Sequence, residues 1–184
     1  NPCEQPSVKH LLSRARRASV KRGNRPSKKT AITKVDLEKM IATCDDSLEG
    51  LRDCALLYFG FASGGRRRSE IAAADLKDIF KVDDNTYTYA LHHSKTKQAG
   101  AKAGDAVEKP LLGPAAIALE LWLKASGISE GAIFRRIWKC KLGGALSPAA
   151  IGVIVTKRAS LAGLKGDYAG HSLRSGFVTE AGRQ

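Results

Sequence analysis

Apolar positions recur along most of this chain at helical spacing. Leu37, Met40, Ile41 and Cys44 follow the i, i+3, i+4, i+7 rhythm of a half-buried helix. Thr33, with Asp36 three residues on, forms a capping-box-like start for it, because both side chains can accept from free helix N–H groups. From Leu51 to Ala62 (LRDCALLYFGFA) the apolar coverage is nearly all-round, which predicts a central core helix. Ser63-Gly64-Gly65 ends it, since glycine readily takes the left-handed conformation that closes helices. A short helix is expected near Arg68–Ala74. Pro114 suits the first turn of a helix through Ala125. Ser147-Pro148 reads as the cap and first turn of another through Leu161, closed by Gly163.

The rhythm changes once. Thr86–His93 (TYTYALHH) alternates, with Tyr87, Tyr89 and Leu91 on one face, and predicts a strand. Its expected partner is Ala106–Leu112, joined to it by the lysine- and glycine-bearing loop Ser94–Asp105. The first 29 residues read differently again. Val8, Leu11 and Leu12 allow a short amphipathic helix, followed by Arg14-Ala15-Arg16-Arg17 and by a basic stretch, Lys21 to Lys29, broken by Gly23 and Pro26. No internal repeat is visible. The pattern therefore predicts a mainly α chain with one small antiparallel β-sheet (α+β). Residues 1–29 are a basic linker with the tail of an upstream domain, and the folded body is residues 30–184.

Composition sharpens this picture. With 43% hydrophobic residues in 184, a packed core is within reach and wholesale disorder is excluded. The 31 Lys/Arg outnumber the 18 Asp/Glu by 13, and unevenly. Residues 1–34 hold ten Lys/Arg against one acid, Glu4, whereas residues 35–184 hold 21 against 17. A basic arm on a moderately basic body suits a polyanion, with double-stranded DNA or RNA first; the alternative is a basic surface that is merely solvated. Cys3, Cys44, Cys54 and Cys140 form no CxxC pair and no Cys/His zinc pattern, and Cys44 and Cys54 fall at core-like positions, so a reducing compartment is expected. No apolar run reaches membrane-span length and no signal-peptide pattern is present. The start at Asn1 rather than Met reads as a piece of something longer.

Three stretches carry candidate chemistry. Gly65-Arg66-Arg67-Arg68-Ser69-Glu70 lies where the core helix breaks. Arginine is planar, permanently charged and able to hold phosphate oxygens in a bidentate fork, although arginines at a helix break also make an ordinary solvated turn. Glu70, one turn on, can fix one guanidinium in place. His171 and Arg174, in Gly170-His171-Ser172-Leu173-Arg174, share one face of a helix whose start would aim free N–H groups at an anion. Lys95 and Lys97, in Ser94-Lys95-Thr96-Lys97-Gln98, gain meaning only if their loop closes over a phosphodiester, where an ammonium can act as general acid.

In order and spacing these three stretches resemble the tyrosine recombinase, or phage integrase, family over roughly Ala31 to Gln184. The family's glycine–apolar–arginine–any–serine–glutamate motif aligns with Gly65 to Glu70 and puts its arginine at Arg67; Arg66 departs from the usual apolar residue. The hairpin lysine, commonly in a Lys-Thr setting, matches Lys95, and the His-x-x-Arg box matches His171 and Arg174. The resemblance implies that Arg67 and Arg174 clamp the scissile phosphate and stabilise its pentavalent transition state, and that His171 hydrogen-bonds it. Lys95 would protonate the 5′-hydroxyl leaving group. Glu70 would support an arginine, while Arg66, Arg68, Lys97, Lys28 and Lys29 would add contacts to DNA. A tyrosine attacks in the family, forming a 3′-phosphotyrosyl link. No metal or other cofactor is called for, because the arginines supply the positive charge.

The family's tyrosine and a further histidine or tryptophan follow the box, whereas Ser175–Gln184 contains none of these. Tyr58, Tyr87, Tyr89 and Tyr168 all precede it and none reads as the nucleophile. The expectation is a site-specific DNA recombinase truncated before its nucleophile, able to hold a phosphate but not to cut in cis. The full-length protein would act as a homo-tetramer on duplex DNA, in the cytoplasm and on the nucleoid, with no membrane partner. Mobile-element integration is the implied setting, and the sequence does not separate it from resolvase-like or chromosome-unlinking roles. The alternative is a non-catalytic, truncated integrase-like DNA-binding protein. An RNA-binding module has no RNP-like aromatic strand or GxxG clamp behind it.

Overall fold

The computed structural model of the protein describes residues 5–23, 29–91 and 107–183. Lys28, Lys95 and Lys97, together with His92 and His93, lie outside the described residues. Among the described residues the α-helices are α1 (Pro6–Lys21), α2 (Lys34–Ile41), α3 (Leu48–Ala62), α4 (Arg68–Ala72), α5 (Pro114–Ser126), α6 (Pro148–Leu161) and α7 (Gly170–Ala181). Five strands fall between α4 and α6: β1 (Ile79–Asp83), β2 (Thr86–Leu91), β3 (Val107–Leu112), β4 (Arg135–Trp138) and β5 (Lys141–Ala145).

Side-chain caps set most helix starts. The Thr33–Asp36 capping box forms as expected, with Thr33 N donating to Asp36 Oδ2 at 3.0 Å and Asp36 N donating to Thr33 Oγ1 at 3.2 Å. Ser47 and Ser147 accept from Gly50 N and Ala150 N to begin α3 and α6. The Ser47 cap moves the start of α3 three residues ahead of Leu51, where the apolar run begins. α1 is also longer than the short helix expected around Val8–Leu12. Pro6 opens it, and the alanine, arginine and lysine residues that follow carry it to Lys21, since all three are good helix formers.

The single small sheet of the sequence reading becomes two. β2 pairs antiparallel with β3 in the expected place, Tyr87 opposite Leu111 and Tyr89 opposite Lys109, and β1 adds on the other side of β2. β1 escapes notice in the sequence because it is an edge strand with Phe80 and Val82 exposed, so the usual inward–outward alternation is missing. β4 and β5 form a separate hairpin turned by Lys139 and Cys140, both with positive φ (47° and 61°). Such a turn ordinarily advertises itself with Asn-Gly or Asp-Gly, and Lys-Cys gives no signal.

The core gathers around α3. Phe59 meets Tyr89 and Phe134 edge-on at 4.9 and 5.4 Å, and Trp122 of α5 is fully buried with its indole N–H donating to Ile133 O. Cys44 and Cys54 are unbonded to each other covalently and half-buried against this core. No helix among the described residues is long and apolar enough to cross a membrane.

Candidate active site

The end of α3 places the arginines. Gly64 (φ +94°) and Gly65 (φ +67°) turn the chain through conformations other residues rarely take, while Gly65 N and Arg66 N donate back to Phe61 O and Gly60 O. Arg67 then stands at the N-cap of α4, and Glu70 grips it twice: Oε2 accepts from Arg67 N at 3.0 Å and Oε1 from Arg67 Nη1 at 2.9 Å. The expected support of an arginine by Glu70 is thus a direct contact. It fixes both the backbone turn and the direction of the guanidinium.

α7 places the other half. Ser172 is buried, and its hydroxyl accepts from Ala169 N to close the first turn. Ile32 N donates to Ser172 O, and Leu173 is buried where Gly60 leaves room for it. With that face inward, His171 is exposed and Arg174 is half-buried. Arg174 Nη1 donates to the Gly65 carbonyl at 3.1 Å, so the box helix touches the arginine turn directly.

A cavity of about 410 Å³ opens at this junction, lined by Lys29, Arg67, Arg68, Ser69, Gly170 and His171. Arg67 and His171, which belong to different motifs, therefore share one opening. Arg174 borders the same turn without lining that opening. Lys29 and Arg68 stand on its rim, and Lys29 also pairs with Asp167 at 2.6 Å. Ser69 and Gly170, motif residues with no charge of their own, line it too. A Cβ on Gly170 would press on Arg68 Cβ at 3.1 Å, a constraint that a sequence does not display.

Arg66 differs from its place in the sequence reading. Grouped there with residues meeting DNA, it is only 6% exposed, folded under the turn with Nη2 donating to Gly64 O at 3.1 Å. Little of its surface is open to a direct contact. Among the described residues no group of three or more His, Cys, Asp or Glu could hold a metal ion. Tyr58 is half-buried on α3, and Tyr87, Tyr89 and Tyr168 are buried. Burial pushes the phenols of all four above their usual range, that of Tyr89 up to about 12.

No family model matches the chain. An integrase/recombinase described as a xerD homolog, from Selenomonas ruminantium, is 35% identical over 194 residues, covering 98% of this chain and 53% of that protein. The chain belongs to the tyrosine recombinase family. Solved recombinases share its fold. The XerH site-specific recombinase in a pre-cleavage complex with its difH substrate superposes with a TM-score of 0.58 at 22% identity, over 87% of this chain and 46% of XerH. XerH in a post-cleavage complex with palindromic difH gives 0.59 at 20%, over 86% and 44%. The XerA recombinase gives 0.58 at 14%, over 86% and 52%. The chain thus spans about half the length of the relatives it matches.

Proposed function

We propose that the protein breaks and rejoins duplex DNA at specific sites through a 3′-phosphotyrosyl intermediate, with Arg67, His171 and Arg174 as its grip on the scissile phosphate. The observation that carries this reading is the junction of α4 and α7. It brings Arg67 and His171 to one basic cavity, and ties Arg174 to the turn that presents Arg67. Arg67, held at its turn by Glu70, and Arg174, held by the Gly65 carbonyl, need little reorganisation to meet a transition state that gains negative charge.

In this mechanism a tyrosine oxygen attacks phosphorus and the bond to the 5′-oxygen breaks. Arg67 and Arg174 hold the non-bridging oxygens, His171 hydrogen-bonds one of them, and Lys95 delivers a proton to the departing 5′-oxygen. Rejoining reverses the same steps. None of the four tyrosines lines the cavity, and Tyr168, which adjoins the lining residue Ala169, is itself buried, so in this reading the nucleophile comes from sequence beyond these 184 residues. Arg68, Lys29 and the basic stretch Lys21–Lys29, with Lys97 from the hairpin loop, contact the phosphate backbone outside the scissile position. Residues 1–29 serve as the link from a DNA-clamping N-terminal domain to a catalytic domain of residues 30–184. The full-length protein assembles as a homo-tetramer on two duplexes, most simply to integrate a mobile element.

The test is covalent trapping. Full-length protein on a nicked suicide duplex should yield a protein–DNA adduct stable to denaturation, and Arg174→Ala should lower its yield by about 10²-fold or more while duplex binding persists. Undiminished trapping by that variant removes Arg174 from the mechanism. A wild type that binds the duplex yet never traps it leaves the non-catalytic DNA-binding reading, which the burial of Tyr87, Tyr89 and Tyr168 and the half-burial of Tyr58 favour for this segment taken alone.

A further inference from the structure

Arg66 is a buried charge short of partners. Its side chain is buried, and its Nε is the buried side-chain polar atom, among the described residues, with no hydrogen-bond partner. Nη2 reaches the Gly64 carbonyl, while Nη1 comes no closer than 3.7 Å to Glu70 Oε2. Both oxygens of that carboxylate are already engaged by Arg67, one by its backbone N–H and one by its guanidinium. The third guanidinium, that of Arg174, donates to the Gly65 carbonyl. Two arginines therefore share one carboxylate, and the Arg174 guanidinium adds like charge beside Arg66.

A residue retained for stability alone would not be arranged this way. Burying a guanidinium is costly unless it is paired and fully hydrogen-bonded, and like charges at close range add to the cost. The direction of its titration agrees. Burial lowers Arg66 below the ordinary guanidinium range, Glu70 opposes this, and Arg174 and Arg67 lower it further. Arg66 itself is buried beneath the turn, so its charge is screened less than a surface charge would be and reaches an anion entering beside Arg67.

We propose that Arg66 is a positioning residue for the anion site: an undercompensated positive charge beneath the Arg67–Arg174 turn, which destabilises the empty site and strengthens its hold on a phosphate. It acts through Glu70 as well as through its field, because a carboxylate drawn toward Arg66 neutralises Arg67 less completely and leaves the Arg67 fork available. The proposal rests on the phosphate-binding reading given above and adds to it a residue that touches no substrate.

Opposite signs of two measurements test it. Arg66→Leu, which fills the space without the charge, should raise the melting temperature of the chain in chloride by about 2–4 °C. The same variant should bind inorganic phosphate about tenfold more weakly, read from the rise in melting temperature with phosphate at constant ionic strength. Arg66→Lys, which keeps the charge without the fork, should hold phosphate within about twofold of wild type. Arg66→Met is the second apolar variant. If both apolar variants melt lower than wild type or fail to fold, Arg66 is structural and the proposal is overturned. If Arg67→Ala abolishes the phosphate response but Arg66→Leu leaves it intact, the proposal falls while the phosphate site stands. A wild type indifferent to phosphate sinks both.

Discussion

Gly176, on the inner face of α7, packs against the backbone of Ile32 so closely that a Cβ built there would run into the Ile32 carbonyl oxygen. Gly65 is confined in the same way, with its positive φ and with Phe177 Cβ and Arg174 Cα 2.9 and 3.0 Å from where a Cβ would stand. These two absences of a side chain let α7 lie against both the Ala31–Ile32 segment and the arginine turn. Gly176→Ala is thus expected to destabilise the chain by about 1–3 kcal/mol through overpacking. Gly182→Ala, whose nearest neighbour would be at an ordinary 3.5 Å, should change little; urea melts of the two variants make the comparison. Of the candidate site, the residue types and their order were legible: Arg67, Glu70, His171 and Arg174 stand in short motifs that display themselves. The fate of Arg66 was not, because three consecutive arginines look alike in sequence and only the turn decides which is turned inward.

Elements that carry their own start and stop signals were legible as well. α2, α5 and α6 begin where Thr33, Pro114 and Ser147 announce them, and α3 stops at its glycines. The β4–β5 hairpin lacked such a signal and went unread. So did the junction between helices that is richest in charge. Asp53 of α3, fully buried, accepts from Arg52 Nη2 at 2.7 Å and from Arg158 Nε of α6 at 2.9 Å, and Arg158 Nη1 also donates to Thr43 O. Along the sequence Asp53 looks like a polar interruption in an apolar helix. In the fold it joins α3 to α6, with the turn after α2 bound through Arg158. Asp53→Asn would leave two buried guanidiniums without their carboxylate, at a cost of about 3–5 kcal/mol. A drop in the denaturation midpoint at unchanged denaturant slope would show it; a midpoint near wild type would mean that the cluster relaxes into water.

Across the whole molecule, the ends of the described body close on each other beside the site. Thr30 N donates to Asp167 O, Lys29 pairs with the Asp167 carboxylate, and Lys34 N donates to Glu180 Oε1. Lys29, to which the basic arm is joined in sequence, therefore stands at the candidate phosphate cavity. Residues 1–28 hold eight Lys/Arg and one acid, so their removal should weaken binding to duplex DNA by about tenfold or more at moderate salt. It should also flatten the dependence of log K on log salt by about 0.9 for every phosphate the arm had neutralised. Filter-binding or anisotropy titrations across a salt series would measure both, and an unchanged slope would mean that the arm neutralises no phosphates.

The sequence by itself determined what is local: where most helices start and stop, which strand pair forms, the surplus of positive charge, and the motifs that name the family. Capping, periodicity and turn chemistry act over a few residues and can be read there. Only the tertiary structure decided what depends on residues far apart. It placed Arg67 and His171 on one cavity, and gave Arg174 the Gly65 carbonyl as a partner. It left Glu70 shared between neighbouring arginines, and buried Arg66 beneath the turn. Burial and electrostatic coupling are properties of the space between elements, and that space is settled only when α7 docks against the end of α3.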